Sequence, residues 1–173
     1  PFAYPKGHHG TGYAVSLSPR GSIIVGTGLK MRTVSAGDIE NLIGFWRSID
    51  GVGLGKGDDR ESLERFIRRN PTTCFLLTEE ERVVGSVLGG FDGRRGYIYH
   101  LAVCPEKRRQ GWGRVLMDAV CRELEKLGAH KIHLFVLNNN HHALEFYRYL
   151  GWEHRTDIRV MSSDRSIEKH RTD

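Results

Sequence analysis

Tyr147, Asn140 and the run Arg108–Arg114 are the residues of this sequence with the most chemistry to offer. The run reads RRQGWGR: Gly111 and Gly113 bracket Trp112, with Arg108, Arg109, Gln110 and Arg114 around them. A strand-like stretch, GYIYHLAVCP, precedes it and a helix-like stretch, VLMDAVCRELEKLG, follows. A glycine turn that opens a helix leaves backbone N–H groups without carbonyl partners. The helix dipole adds roughly half a positive charge at that end. Together they make an anion site suited to a phosphate or pyrophosphate. One glycine would serve a tight turn. Two glycines and three arginines point to an anion that approaches the backbone closely. Tyr147 offers a phenol, a proton donor with an ordinary pKa of about 10. It sits in an amphipathic run, where a packed aromatic is the plainer role. Asn140 ends the turn-prone NNN, for which simple loop chemistry suffices.

Other candidates carry less. His130 and His133, and the adjacent His141 and His142, lack a clear metal-ligand set, so no metal is expected. The three cysteines, Cys74, Cys104 and Cys121, are odd in number and without a CxxC spacing. That argues against a disulfide framework or a zinc site and fits a reducing cytoplasm. Cys104 has no evident His partner, and Cys121 falls in a helix as a packed residue. The loop GVGLGKGDD (51–59) resembles a phosphate loop only superficially, since Gly57 follows Lys56 where Ser or Thr is required. It reads as a mobile loop that could cover a substrate.

These residues need a scaffold, and the totals allow one. The chain has 173 residues, 39% hydrophobic and 27% charged, ordinary for one globular domain with a substantial core. No apolar run approaches the roughly 20 residues of a membrane span. A net charge of +5 and a pI near 9.3 suggest an anionic partner. Nucleic acid is disfavoured, because the arginines do not form a broad stripe with stacking aromatics. Residues 1–28 are rich in Gly, Pro and Ser and lack a secretory pattern. They read as a leader, tag-like or disordered, and include His8 and His9. Residues 162–173 read as a polar tail.

Between them, periodicity predicts a strand at 29–34 and, behind the capping run SAGD, a helix at 38–49. Leu63, Phe66 and Ile67 mark a second helix, stopped at Asn70-Pro71. Strands follow at 72–78, 82–90 and 97–103, with Asp92-Gly93 as a hairpin turn. Then come a helix at 112–127 closed by Gly128, a strand at 131–137, a helix at 141–151 and a final extended segment at 152–162. The order describes an α/β mixed sheet covered by helices.

Several motifs in this order resemble one family. Arg108-x-x-Gly111-x-Gly113, the whole stretch LAVCPEKRRQGWGRVLM, Asn140-x-x-Ala143-x-x-Phe146-Tyr147 and YRYLGWE are similar to the motifs of the GNAT (GCN5-related) N-acetyltransferase superfamily. The resemblance covers about 29–161. It looks closest to small bacterial one-domain members, including the branch that acetylates ribosomal-protein N-termini and uncharacterised members with a similar GGxDGxRG turn. It implies the acyl-CoA N-acyltransferase fold: a mostly antiparallel sheet with a bulged strand and a splayed parallel pair. It further implies that backbone at Leu101, Ala102 and Val103 pairs with the pantetheine of acetyl-coenzyme A. The amides of Arg109–Arg114 would hold the pyrophosphate, Asn140 would cap or contact the cofactor arm, and Tyr147 would protonate the departing thiolate. The general base is where the pattern departs from the family. Phe135 stands where N-terminal acetylating relatives carry Glu, and Tyr97 where others carry Glu or His, with Tyr99 expected on the same face. His100, His133 and Asp92 are the substitutes at hand, each more ordinary as a structural or exposed residue. The implied function is acetyl transfer to a primary amine of a small molecule or peptide, in a protein for which a homodimer is allowed. The competing reading is a coenzyme A-binding sensor without catalysis.

Overall fold

The computed structural model describes residues 28–165 and the backbone of 15–17 and 23–25. Among the described residues, seven strands lie side by side in chain order. They are β1 (Val15–Leu17), β2 (Ile23–Val25), β3 (Leu29–Thr33), β4 (Cys74–Glu79), β5 (Arg82–Phe91), β6 (Gly96–Val103) and β7 (Ile132–Leu134). All neighbours pair antiparallel except β6 and β7, which run parallel. Four α-helices among the described residues connect or follow them: α1 (Ile39–Arg47), α2 (Arg60–Arg69), α3 (Trp112–Lys126) and α4 (His141–Tyr149). The expected mixed sheet is therefore present. By packing, the chain forms two compact units, divided between Leu137 and Asn138.

Three expectations differ from what is observed. Two described strands, β1 and β2, fall inside the segment 1–28; residues 1–14, 18–22, 26 and 27, His8 and His9 included, lie outside the described residues. The strand expected at 131–137 is only Ile132–Leu134, because the chain leaves the β6 ladder after Leu134. Among the described residues of 152–162 no strand forms. Ile158 and Val160 keep the apolar alternation of a strand but stand exposed. Alternation shows which face a strand would bury and says nothing of whether an edge is available to pair with it.

Alternating contacts fix the two faces of the sheet. A Cβ at Gly85 would meet Leu116 of α3, and one at Gly89 would meet Val120 of α3. On the opposite face, Ser86 accepts a hydrogen bond from Trp46 Nε1 of α1, and Gly90 lies against Phe66 of α2. So α3 covers one face, and α1 and α2 cover the other. The glycines on the α3 face let that helix lie close. Leu116, Met117, Val120 and Leu124 bury there, at the helical spacing the sequence shows. Phe45, Leu42, Trp46, Leu63 and Ile67 fill the other layer. Burying each such side chain contributes about 1.5–3 kcal/mol.

The start of α1 is anchored at its first turn. Asp38 accepts from the Ser35 backbone N–H at 2.8 Å and from both Arg32 guanidinium nitrogens at 2.7 and 2.6 Å. The Arg32 bonds, reinforced by those from Ser35, hold the Asp38 carboxyl at a pKa of about 2.

Candidate active site

The site is built around a break in β6. Ser86 of β5 faces Ala102, but Leu88 faces Tyr99. One residue of β5 thus stands opposite two of β6, His100 and Leu101, which is a β-bulge. His100 takes the left-handed conformation the extra residue needs, with φ 48. Asn, Asp and His are the non-glycine residues that enter that region most readily. The bulge changes which way His100 faces. Tyr99 packs edge-on against Phe66 of α2, with ring centroids 5.7 Å apart. In a regular strand the next side chain would point to α3. Instead, His100 lies on Trp46 of α1, with centroids 4.3 Å apart.

Two further contacts hold His100. Its carbonyl accepts from Ser86 Oγ at 3.1 Å, and that hydroxyl accepts from Trp46 Nε1 at 2.9 Å. Its Nε2 lies 2.7 Å from Asp58 Oδ1. Asp58 comes from the loop 51–59, where its other oxygen accepts from Gly55 N at 2.8 Å. The next residue, Asp59, caps α2 by accepting from Ser62 N at 3.0 Å. The loop therefore spends the Gly55 amide on its own carboxylate, which leaves the phosphate-cradle reading of its glycines without support.

Beside the bulge the parallel pair comes apart. β6 pairs with β7 only at Gly96–Ile132, Tyr97–His133 and Ile98–Leu134. Beyond Ile98, β6 continues to Val103 in register with β5, while the chain after Leu134 departs. Among the described residues no strand pairs with Leu101, Ala102 and Val103 on the side away from β5. That edge is open to an added strand-like ligand.

The chain then turns into α3 in the manner its glycines suggested. Arg109 has φ 61, and Gly111, the residue before the helix, has φ 86. A Cβ at Gly111 would meet nothing within 4 Å, so glycine is there for conformation and leaves open space over the helix start. No acidic residue lies in the first turn. The side chains share the work unequally. Arg108 Nε donates to Val103 O at 3.0 Å, tying the turn back to the open edge. Gln110 donates to Glu106 O at 2.9 Å, and Arg114 pairs with Asp118 at 3.8 Å. Trp112 is buried at 2% exposure, so it anchors the turn and can offer a ligand only its backbone. Arg109 and Gly113 complete the run, Arg109 exposed.

Asn140 and Tyr147 belong to the second unit. Asn140 caps α4 by accepting from Ala143 N at 3.1 Å. Tyr147 packs between Phe146 and Trp152, with centroids 5.3 and 6.1 Å away. Burial pushes its phenol up to about 12.

The chain is similar to known proteins in sequence and in fold. The family model described as Acetyltransferase (GNAT) family matches residues 40–152. The chain belongs to the GNAT family of acetyltransferases. An acetyltransferase of Pectobacterium atrosepticum is 30% identical over 125 residues, covering 72% of this chain and 88% of that protein. The crystal structure of Ard1 from Thermoplasma volcanium superposes with a TM-score of 0.60 at 26% identity, over 72% of this chain and 82% of that one. A predicted acetyltransferase from Clostridium acetobutylicum, solved with acetyl-CoA, shares the fold. Its TM-score is 0.63 at 18% identity, over 78% of this chain and 96% of that one.

Within this GNAT fold the substitutes for a general base separate. Asp92 is a turn residue, accepting from Arg94 N at 2.8 Å and Arg95 N at 2.6 Å. His133 lies against Tyr97, with centroids 5.7 Å apart. Phe135 is exposed at 61%. Tyr97 and Tyr99 share a face, as expected, paired to Gly90 and Leu88. His100 has a carboxylate partner, Asp58. Sequence reasoning missed Asp58, Ser86 and Trp46 altogether. Among the described residues no cluster could hold a metal ion, and no helix is long and apolar enough to cross a membrane.

Proposed function

We propose that this acetyltransferase takes its acetyl group from acetyl-coenzyme A and passes it directly to a primary amine. The observation that carries the reading is the parting of β6 and β7 after Ile98 and Leu134, next to the left-handed Gly111 that opens α3. An open strand edge suits the amides of a pantetheine arm, and the uncapped helix start suits its pyrophosphate. The residues fit such a group. Backbone of Leu101, Ala102 and Val103 would pair with the arm, and a backbone N–H there would receive the thioester carbonyl. Amides from Arg109 to Arg114 would hold the phosphates. Asn140, as the cap of α4, would set the start of the helix that carries Tyr147.

Tyr147 has the proton-donating role in this reading. With its pKa pushed up to about 12, the phenol keeps its proton at neutral pH and can donate to the departing sulfur. The acceptor is an amine of a small molecule or a peptide, and no metal takes part.

The test is acetyl-coenzyme A binding followed by turnover. Saturable binding should raise the melting temperature, and thiol release should be seen with some member of a panel of amines, polyamines, amino acids and N-terminal peptides. Tyr147→Phe should lower turnover at least about tenfold with little change in cofactor affinity. Absence of any thermal shift at millimolar acetyl-coenzyme A refutes the reading. Binding without turnover of any amine makes the protein a coenzyme A sensor.

A further inference from the structure

The geometry points to His100 as the general base for the acceptor amine, with Asp58 as the residue that positions it. The inference rests on the transferase reading and goes beyond it, since the two positions where relatives keep a base are Tyr97 and Phe135 here. Four observations carry it. The β6 bulge rotates His100 out of the α3 layer and onto the face of α1 and α2. The residue lies one step before Leu101–Val103, the open edge assigned to the acetyl donor. The residue is held twice: its ring lies tilted on Trp46, and its backbone carbonyl is tied through Ser86 to the same tryptophan. Asp58 Oδ1 takes Nε2 at 2.7 Å, and the pair is only partly exposed, 13% for the histidine side chain and 20% for the aspartate.

The tautomer follows from that last contact. In the neutral ring the carboxylate accepts, so Nε2 carries the hydrogen and donates a hydrogen bond to Asp58. Nδ1 of that tautomer keeps its lone pair, the form a base needs. Among the described residues no other group hydrogen-bonds the ring. Asp58 also stabilises the imidazolium once it forms, the same division of labour as in a carboxylate–histidine pair that serves a nucleophile. A purely structural histidine needs none of this. Trp46 and Ser86 already secure the bulge through the His100 backbone and ring face, so Asp58 is free to act on the ring nitrogen.

The proton balance is simple. An acceptor arriving as an ammonium gives one proton to Nδ1, directly or through a water, and His100 later releases it to solvent. The neutral nitrogen attacks the thioester carbonyl carbon. The C–N bond forms, the C–S bond breaks, and the sulfur leaves with the bond pair. The second nitrogen proton passes to solvent, and solvent returns one to Tyr147 in place of the proton that phenol gave the thiolate. The sum is an ammonium and a thioester going to an amide, a thiol and one proton.

The test compares two acceptors in the full-length protein: the best amine of the panel, and its hydrazide or alkoxyamine analogue, which is already neutral at pH 7. His100→Asn keeps a side chain that tolerates the left-handed backbone but has no basic nitrogen. It should lower kcat/KM for the amine by about 100-fold or more. For the weakly basic analogue the loss should be under about fivefold, because that acceptor needs no base to begin the attack. Asp58→Asn should show the same selectivity at a smaller size, with acetyl-coenzyme A affinity unchanged in both variants. Imidazole added to His100→Gly, in which glycine also suits the backbone, should restore part of the amine rate. Equal losses for the two acceptors, with wild-type turnover intact, overturn the base assignment and leave a structural histidine. Wild-type protein that turns over no amine overturns the transferase reading, and the base assignment with it.

Discussion

Removing the Ser86 hydroxyl strikes the point where helix, sheet and bulge are tied together. Ser86 is fully buried, at 0% exposure, and Trp46 is at 1%. The hydroxyl accepts from Trp46 Nε1 at 2.9 Å and donates to the His100 carbonyl at 3.1 Å. Ser86→Ala therefore orphans one donor and one acceptor at once. Each unsatisfied buried group costs about 1–3 kcal/mol, so the variant should lose about 2–6 kcal/mol. Trp46→Phe removes the donor and leaves the hydroxyl still donating to His100. It should cost about 1–3 kcal/mol, from one hydrogen bond and a modest void. The two losses share a term, the stranded indole N–H, which exists in Ser86→Ala but not in the double variant. The double variant should therefore fall short of additivity by about 1–2 kcal/mol. Urea unfolding of all four proteins at fixed pH measures this, read from midpoints at constant slope. Strict additivity within about 0.3 kcal/mol would refute the chain of hydrogen bonds as described.

Two stability predictions rest on other parts of the fold. Gly89→Ala would set a Cβ 2.5 Å from Val120 Cγ2 and 2.9 Å from the Thr73 carbonyl; the strain should lower stability by about 1–3 kcal/mol, seen as a lower urea midpoint. Asp38→Asn should cost about 1 kcal/mol at pH 7. The fall of that carboxyl from 3.8 to about 2 is worth about 2 kcal/mol, discounted because the pair is partly in contact with solvent. A depressed carboxyl stabilises the fold above its unfolded pKa and ceases to do so as pH falls through the folded one. The gap between wild type and Asp38→Asn should therefore be full above about pH 4 and close towards pH 2 in urea titrations.

Sequence and structure agree most where a signal is local. β4, β5 and β6 appear within a few residues of their expected spans because apolar runs are separated by the turns Glu79–Glu81 and Asp92–Gly93. α3 appears because Leu116, Val120 and Leu124 repeat at helical spacing and Gly128, at φ 94, ends the helix as expected. The turn at Gly111 was legible for the same reason: glycine marks backbone that other residues avoid. The bulge was expected from the family resemblance, and the residues by themselves do not show it. One extra residue in a strand leaves no trace in composition, and YIYHLAV reads as a continuous run. Asp58 was hidden by distance, since it meets His100 across 42 residues and lies in a stretch whose glycines suggest mobility. β1 and β2 were hidden because three-residue strands in a Gly- and Pro-rich setting carry too little pattern to read.

The bulge also bears on how residues of this strand are matched between relatives. Val103 pairs with Gly85 on the α3 face, and Tyr97 pairs with Gly90 on the other. The two residues are an even number of steps apart and still look in opposite directions. Any correspondence made by counting back from Val103 changes sides as it crosses His100. A residue type can be kept in name while its side chain serves the opposite layer, and a chemical role can move along the strand with no exchange of letters, only a shift in where the extra residue is accommodated.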